Sequence, residues 1–171
     1  MAVLLWVLLG ALAAQRLLET RLAARHERAL ARRGGRAVEG DLHASIVALH
    51  VGFFVLAAGE ALAAPWARTG WWTVPALGVF ALGQGLRLSA MVALRDRWTT
   101  RVWVVPGEPA VRRGPYRFLR HPNYVGVALE LAAFPLAFGL VGTALVASAI
   151  NGLLLARRVR VEERALAGVA A

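Results

Sequence analysis

The stretch Arg113-Gly114-Pro115-Tyr116-Arg117-Phe118-Leu119-Arg120-His121-Pro122-Asn123-Tyr124-Val125-Gly126 lies between apolar segments long enough to cross a bilayer. It holds three Arg, one His, two Tyr and two Pro. Ionisable groups set against a membrane span are costly, so they mark places where chemistry is done. Pro122 keeps His121 out of the α region and suits the first turn of a helix that starts there. That helix start offers unpaired N–H groups and a partial positive charge, fit for a carboxylate or a phosphate. Gly126, one turn on, leaves room for a ligand or a neighbouring helix. The plainer reading of the same residues is a helix start at a membrane interface with ordinary basic and aromatic anchors.

Outward from this stretch the chain is apolar. Of its 171 residues 58% are hydrophobic, and long runs with few charges recur. The fold class is therefore an all-α, polytopic integral membrane bundle, a single domain over residues 1–171 with about five transmembrane helices. The spans fall at about 2–18, 42–64, 71–94, 122–138 and 141–156, and the last two form a C-terminal helical hairpin. The first continues as a charged helix through Arg33 until Gly34-Gly35 ends it. Pro65 stops the second. Arg101 to Val105 reads as extended, and Pro106-Gly107-Glu108-Pro109 as a turn. Pro135 bends the fourth span, and Gly139 with Gly142 makes the hairpin turn. The apolar N-terminus lacks a basic leader, so it reads as a retained span rather than a cleaved signal.

Charge sets the orientation. The net charge of +10 comes with no Lys at all, and there is no Cys, hence no disulfide or thiolate chemistry. Seven Arg lie in residues 16–36, seven in 95–120 and four in 157–164. Five spans put all three groups on one side, which the positive-inside rule makes cytoplasmic, with the N-terminus outside and the C-terminus inside. Arg68 lies in the opposite loop, and Trp6, Trp66, Trp71 and Trp72 serve as outer interface anchors. Arg residues flanking apolar spans speak for anionic lipid as the partner and against nucleic acid. No His, Asp or Glu spacing suggests a metal.

A second polar cluster, Arg160-Val161-Glu162-Glu163-Arg164-Ala165-Leu166, follows the last span. Alone it reads as a solvated helix end. Together, RHPxYxG at 120–126, an apolar hairpin and EExxL at 162–166 resemble the isoprenylcysteine carboxyl methyltransferase family, and Gly114-Pro115-Tyr116-Arg117 fits the same lead-in. That resemblance implies an S-adenosyl-L-methionine-dependent methyltransferase with its cofactor region at 112–126 and 157–166. His121, Pro122, Tyr124 and Gly126 would line the cofactor pocket, and Glu162 and Glu163 would close it. Arg97 to Gly107, Ala128 to Gly139 and Ala48-Leu49-His50 are similar to a bacterial branch encoded beside type III polyketide synthases. Its members resemble these enzymes but methylate a hydroxyl of alkylpyrones or alkylresorcinols.

The expected reaction is thus methyl transfer to an oxygen of a lipophilic acceptor that enters from the bilayer of the bacterial inner membrane. Arg120, His50 and Glu130 are the catalytic candidates, with Arg117 or Arg120 as oxyanion stabiliser. His50 is read as a base or as a hydrogen-bonding helix contact. Glu130 either touches the acceptor or pairs with Arg87, for which Glu60 is the other candidate. Gly83-Gln84-Gly85 reads as a close helix contact. Other readings are carboxyl methylation of a prenylated cysteine or similar carboxylate, phospholipid N-methylation, and a membrane scaffold without turnover.

Overall fold

A computed structural model of the chain describes residues 2–63 and 69–167. Pro65, Trp66 and Arg68, to which the sequence assigns a helix stop, an anchor and an outer-loop charge, lie outside the described residues. Among the described residues, five α-helices account for nearly all regular structure: α1 (Ala2–Arg32), α2 (His43–Ala63), α3 (Thr73–Leu94), α4 (Pro122–Ala137) and α5 (Val141–Ala167). Three of them, α1, α2 and α3, are long and apolar enough to cross a membrane. Helix α4, with 16 residues, is the short one and the most enclosed. Val127, Leu131, Phe134 and Ala137 are buried on it along with Gly126, Glu130 and Pro135, so neighbours cover it on most sides.

Helix α1 carries one buried stripe along its full length: Leu5, Leu9 and Leu12, then Glu19, Ala23 and Leu30. Steps of three and four keep these residues on one helix face, so the charged half of α1 packs on the bundle just as the apolar half does. Its end is a glycine cap. Gly34 has φ 77°, Gly35 N donates to Leu30 O at 2.9 Å and Gly34 N to Ala31 O at 3.1 Å. The turn between α4 and α5 repeats this device at Gly139, with Leu140 N on Pro135 O at 2.9 Å. Gly142 is not part of that turn. It lies in the first turn of α5, where its N–H and that of Thr143 donate to the Glu60 carboxylate at 3.0 and 2.7 Å. Glu60 is therefore an N-terminal cap for α5, not the partner of Arg87.

That partner is Glu130, within a larger network than the sequence suggested. Arg87 Nη1 lies 3.3 Å from Glu130 Oε2, and Nη2 donates to Glu19 Oε2 at 2.6 Å. Arg16 bridges the same two carboxylates, donating to Glu19 at 2.7 Å and to Glu130. Gln15 joins Glu19 at 2.8 Å to Gln84 at 3.0 Å. Three helices are thereby tied by two cations and two anions, and Arg16, counted by sequence among flanking charges, faces inward.

Helices α3 and α4 touch through glycine. A Cβ on Gly126 would stand 2.5 Å from Arg87 Cγ and 2.7 Å from the Gly83 carbonyl oxygen. Gly85 meets nothing within 4 Å, so Gly83 alone of the Gly83-Gln84-Gly85 triplet makes this contact. At the charged end of the bundle, Arg36–Ala37 (β1) pairs antiparallel with Trp103–Val104 (β2), which is the extended segment expected from sequence. Asp41 fastens the ribbon to α2: it accepts from His43 N at 3.1 Å and from Val102 N at 3.0 Å.

Gly126→Ala is expected to destabilise the detergent-purified protein by about 1–3 kcal/mol through overpacking. Gly152→Ala in α5, where a Cβ meets nothing within 4 Å, should cost nothing. Thermal melting of both variants checks this, and equal midpoints would contradict the close α3–α4 contact.

Candidate active site

Between α1, α2, α5 and the long segment joining α3 to α4 lies a cavity of about 1240 Å³. That exceeds the ~300–1,000 Å³ of an ordinary single-ligand pocket. At its charged end stand residues from both sequence clusters. The start of α4 holds His121 and Tyr124, and the last turns of α5 hold Glu162 and Glu163 on the same unbroken helix that begins at Val141. His121 Nδ1 is 3.6 Å from Glu162 Oε2, and Nε2 is 3.5 Å from Glu163 Oε1. Tyr124 Oη donates to Glu162 Oε2 at 2.5 Å, and its ring stacks on His121 with centroids 5.3 Å apart. Arg158, one turn before Glu162, is buried. It donates from Nε to Tyr124 Oη at 2.9 Å and from Nη2 to Thr100 O at 2.6 Å.

The proton positions follow from this geometry. The Glu162 carboxylate raises the His121 pKa above that of a free imidazole, against partial burial. Burial pushes the Glu162 carboxyl up, but His121, Tyr124 and Arg158 together hold its pKa below the usual value. Burial, reinforced by Glu162, raises the Tyr116 phenol, so it stays protonated as a donor. His121 and the carboxyl groups of Glu162 and Glu163 thus join the start of α4 to the end of α5.

The remaining sequence candidates separate. Arg120 sits on the rim with its side chain 86% exposed and 3.2 Å from Glu163. Arg117 is exposed as well, while Arg158, which sequence reasoning passed over, is the buried cation of the cluster. Pro122 is fully buried and sets the helix start without lining the cavity. Gly126 faces α3, and Glu130 lies in the ion network, bordering only a small adjoining pocket. His50 reaches the cavity wall from α2, with Nδ1 2.8 Å from Ile46 O.

A further set of polar atoms points to a ligand. Among the described residues, the buried side-chain atoms lacking a hydrogen-bond partner are Arg87 Nε, Trp98 Nε1, Trp103 Nε1, His121 Nε2 and Asn123 Oδ1. All five belong to residues lining this one cavity. Buried polar groups are almost always satisfied, so these atoms are left open to a ligand or to water in the cavity. Trp98 and Trp103 carried a sequence signal, two indoles within a polar inter-span segment, but nothing in their spacing aimed them at the cavity.

Three helices long and apolar enough to span a membrane, beside a large cavity that is polar at one end, define an integral membrane protein. The model of the isoprenylcysteine carboxyl methyltransferase (ICMT) family matches residues 76–168, more than half of the chain. The chain belongs to this family of membrane methyltransferases. It is 32% identical over 161 residues to "Uncharacterized protein YpbQ" of Bacillus subtilis, covering 94% of this chain and 95% of that one. It is 27% identical over 148 residues to an "Uncharacterized protein" of Haemophilus influenzae, covering 85% and 84%. No solved structure matches significantly.

The clamp has a defined pH window. His121, with its pKa raised above 6.5, stabilises fully below that value and loses this as pH rises through its folded pKa. Glu162, held below 4.5, stabilises above that value and loses this as pH falls through its folded pKa. The melting difference between wild type and His121→Gln, without ligand, should be largest near pH 6 and should shrink on going to pH 9. A difference that grows with pH would refute the ion pair.

Proposed function

We propose that this protein transfers a methyl group from S-adenosyl-L-methionine to an oxygen of a lipophilic small molecule, of the alkylpyrone or alkylresorcinol kind. The observation that carries the proposal is one cavity with unmatched polar atoms and carboxylates at its charged end and apolar walls toward α2. The residues at the charged end suit the cofactor. Glu162 and Glu163 offer carboxylates for an ammonium and for ribose hydroxyls. The indole N–H groups of Trp98 and Trp103 and the free N–H groups at the start of α4 offer donors to a carboxylate and to adenine acceptors. Tyr124 and Arg158 keep Glu162 oriented. When bound, S-adenosyl-L-methionine supplies an electrophilic methyl group on a sulfonium.

The protein's share of the work is to hold donor and acceptor in line and to exclude water. Arg120, on the rim, would close over the bound cofactor through Glu163. The acceptor would enter sideways from the bilayer while the cofactor enters from the charged end. This reading places that end in the cytoplasm, five helices across the bacterial inner membrane and the N-terminus outside, as the Arg distribution demands. The family's own description supports the second reading, methylation of a prenylated cysteine or similar lipophilic carboxylate.

Calorimetry on the detergent-purified chain should show binding of S-adenosyl-L-methionine, weakened at least tenfold by Glu163→Ala and by Trp98→Phe. Turnover with labelled cofactor should appear on an alkylpyrone or an alkylresorcinol. Turnover on only a farnesylated cysteine analogue or phosphatidylethanolamine would replace this acceptor class, and absence of cofactor binding would leave a scaffold.

A further inference from the structure

The cavity wall has a second polar group that the cofactor cluster does not use. Arg16 of α1 and His50 of α2 both face the cavity and also border the small pocket beside it. Both lie before residue 76, outside the segment that the family model matches. Their surroundings are apolar: Leu17, Val47, Val51 and Phe54 share this part of the wall.

Each side chain is held in a particular chemical state. His50 Nδ1 lies 2.8 Å from the Ile46 carbonyl oxygen. A carbonyl oxygen only accepts, so the neutral ring carries its proton on Nδ1 and its lone pair on Nε2. That is the tautomer a general base needs. Arg16 spends one N–H on Glu19 and another on Glu130. A guanidinium has five N–H donors. The Arg16 side chain keeps 18% exposure and lines the cavity. In the network two carboxyl groups, Glu19 and Glu130, meet two guanidinium groups, Arg16 and Arg87. An oxygen that acquires charge only as its proton leaves gains fixed, directed donors.

We infer that Arg16 and His50 form the acceptor end of the site and handle the acceptor hydroxyl of the reaction proposed above, His50 as its base and Arg16 as donor to its oxygen. His50 Nε2 receives the hydroxyl proton, and Arg16 donates to the oxygen left behind. In the transfer, a lone pair of that oxygen forms the bond to the methyl carbon. The carbon–sulfur bond breaks with its electron pair returning to the sulfonium sulfur. The proton ends on His50, which releases it afterwards. The acceptor's alkyl chain lies along Val47, Val51 and Phe54. This rests on the methyltransferase reading above and adds to it the acceptor's ionisation state and the two residues that receive it.

The test uses the full chain in detergent with two acceptors that share one alkyl tail, an alkylphenol and a more acidic enol. Wild type, His50→Gln and Arg16→Lys are compared for melting midpoint, affinity for S-adenosyl-L-methionine, kcat and KM. His50→Gln should keep the wild-type midpoint and cofactor affinity. Its kcat should fall about 10²–10⁴-fold on the phenol, the usual worth of a general base, and less than tenfold on the enol that ionises by itself. Arg16→Lys keeps the charge but not the planar fork, so it should lower kcat on both acceptors with cofactor affinity unchanged. An unchanged kcat in His50→Gln, or an equal loss on both acceptors, overturns the inference. If wild type binds no cofactor and turns over neither acceptor, the methyltransferase reading fails and this inference falls with it.

Discussion

Two arginines and two glutamates meet between α1, α3 and α4, and the relative placement of these three helices depends on that meeting. Glu19, Arg87 and Glu130 are each at most 7% exposed. A charge so enclosed persists only when paired and hydrogen-bonded. The requirement is mutual: removing any one member leaves an uncompensated charge in a medium that cannot solvate it, at a cost of about 3–5 kcal/mol. α1 therefore has one rotation and one depth relative to α3 and α4. With α1 fixed, its buried leucine stripe takes a fixed place in the core. Arg16 ends at the cavity wall rather than in the headgroups.

Small residues let the network close. Gly83 and Gly126 bring α3 and α4 to backbone contact at the level of Arg87, so that its guanidinium spans the short gap to Glu130. The same close approach encloses α4, whose N-terminus then points at the charged end of the cavity. Pro122 starts that helix and His121 precedes it, so the imidazole is presented to α5 one residue before the first turn. Glu60 fixes the far end of α5 through its cap. Twenty residues later, along a helix that does not break, Glu162 and Glu163 arrive opposite His121. The site is the consequence of two helices aligned at both ends.

The charged end and the apolar wall divide the labour of the cavity. Carboxylates, indoles and the start of α4 gather at one end. Leu17, Val47, Val51 and Phe54 line the wall formed by α1 and α2, with Arg16 and His50 among them. The cavity therefore offers polar partners at one end and apolar surface at the other.

Much of this was legible in the chain before folding. Hydrophobic runs mark the helices because a bilayer satisfies no backbone group, so spans announce themselves by length and composition. Proline and glycine mark ends through local backbone geometry alone: Pro122 starts α4, Gly34 and Gly139 finish α1 and α4, and RHPxYxG and EExxL are the two clusters that meet at the charged end of the cavity. Partners across helices are another matter. Nothing local tells Arg16 from the solvated arginines after it, assigns Glu60 to the start of α5, or selects Arg158 rather than Arg117 and Arg120 as the buried cation. Trp98 and Trp103 are only two residues of a polar segment until the fold leaves their unpaired N–H groups on residues that line the cavity. Charge pairing and unmet hydrogen bonds depend on distance in three dimensions and on exclusion of water, and those come only from packing.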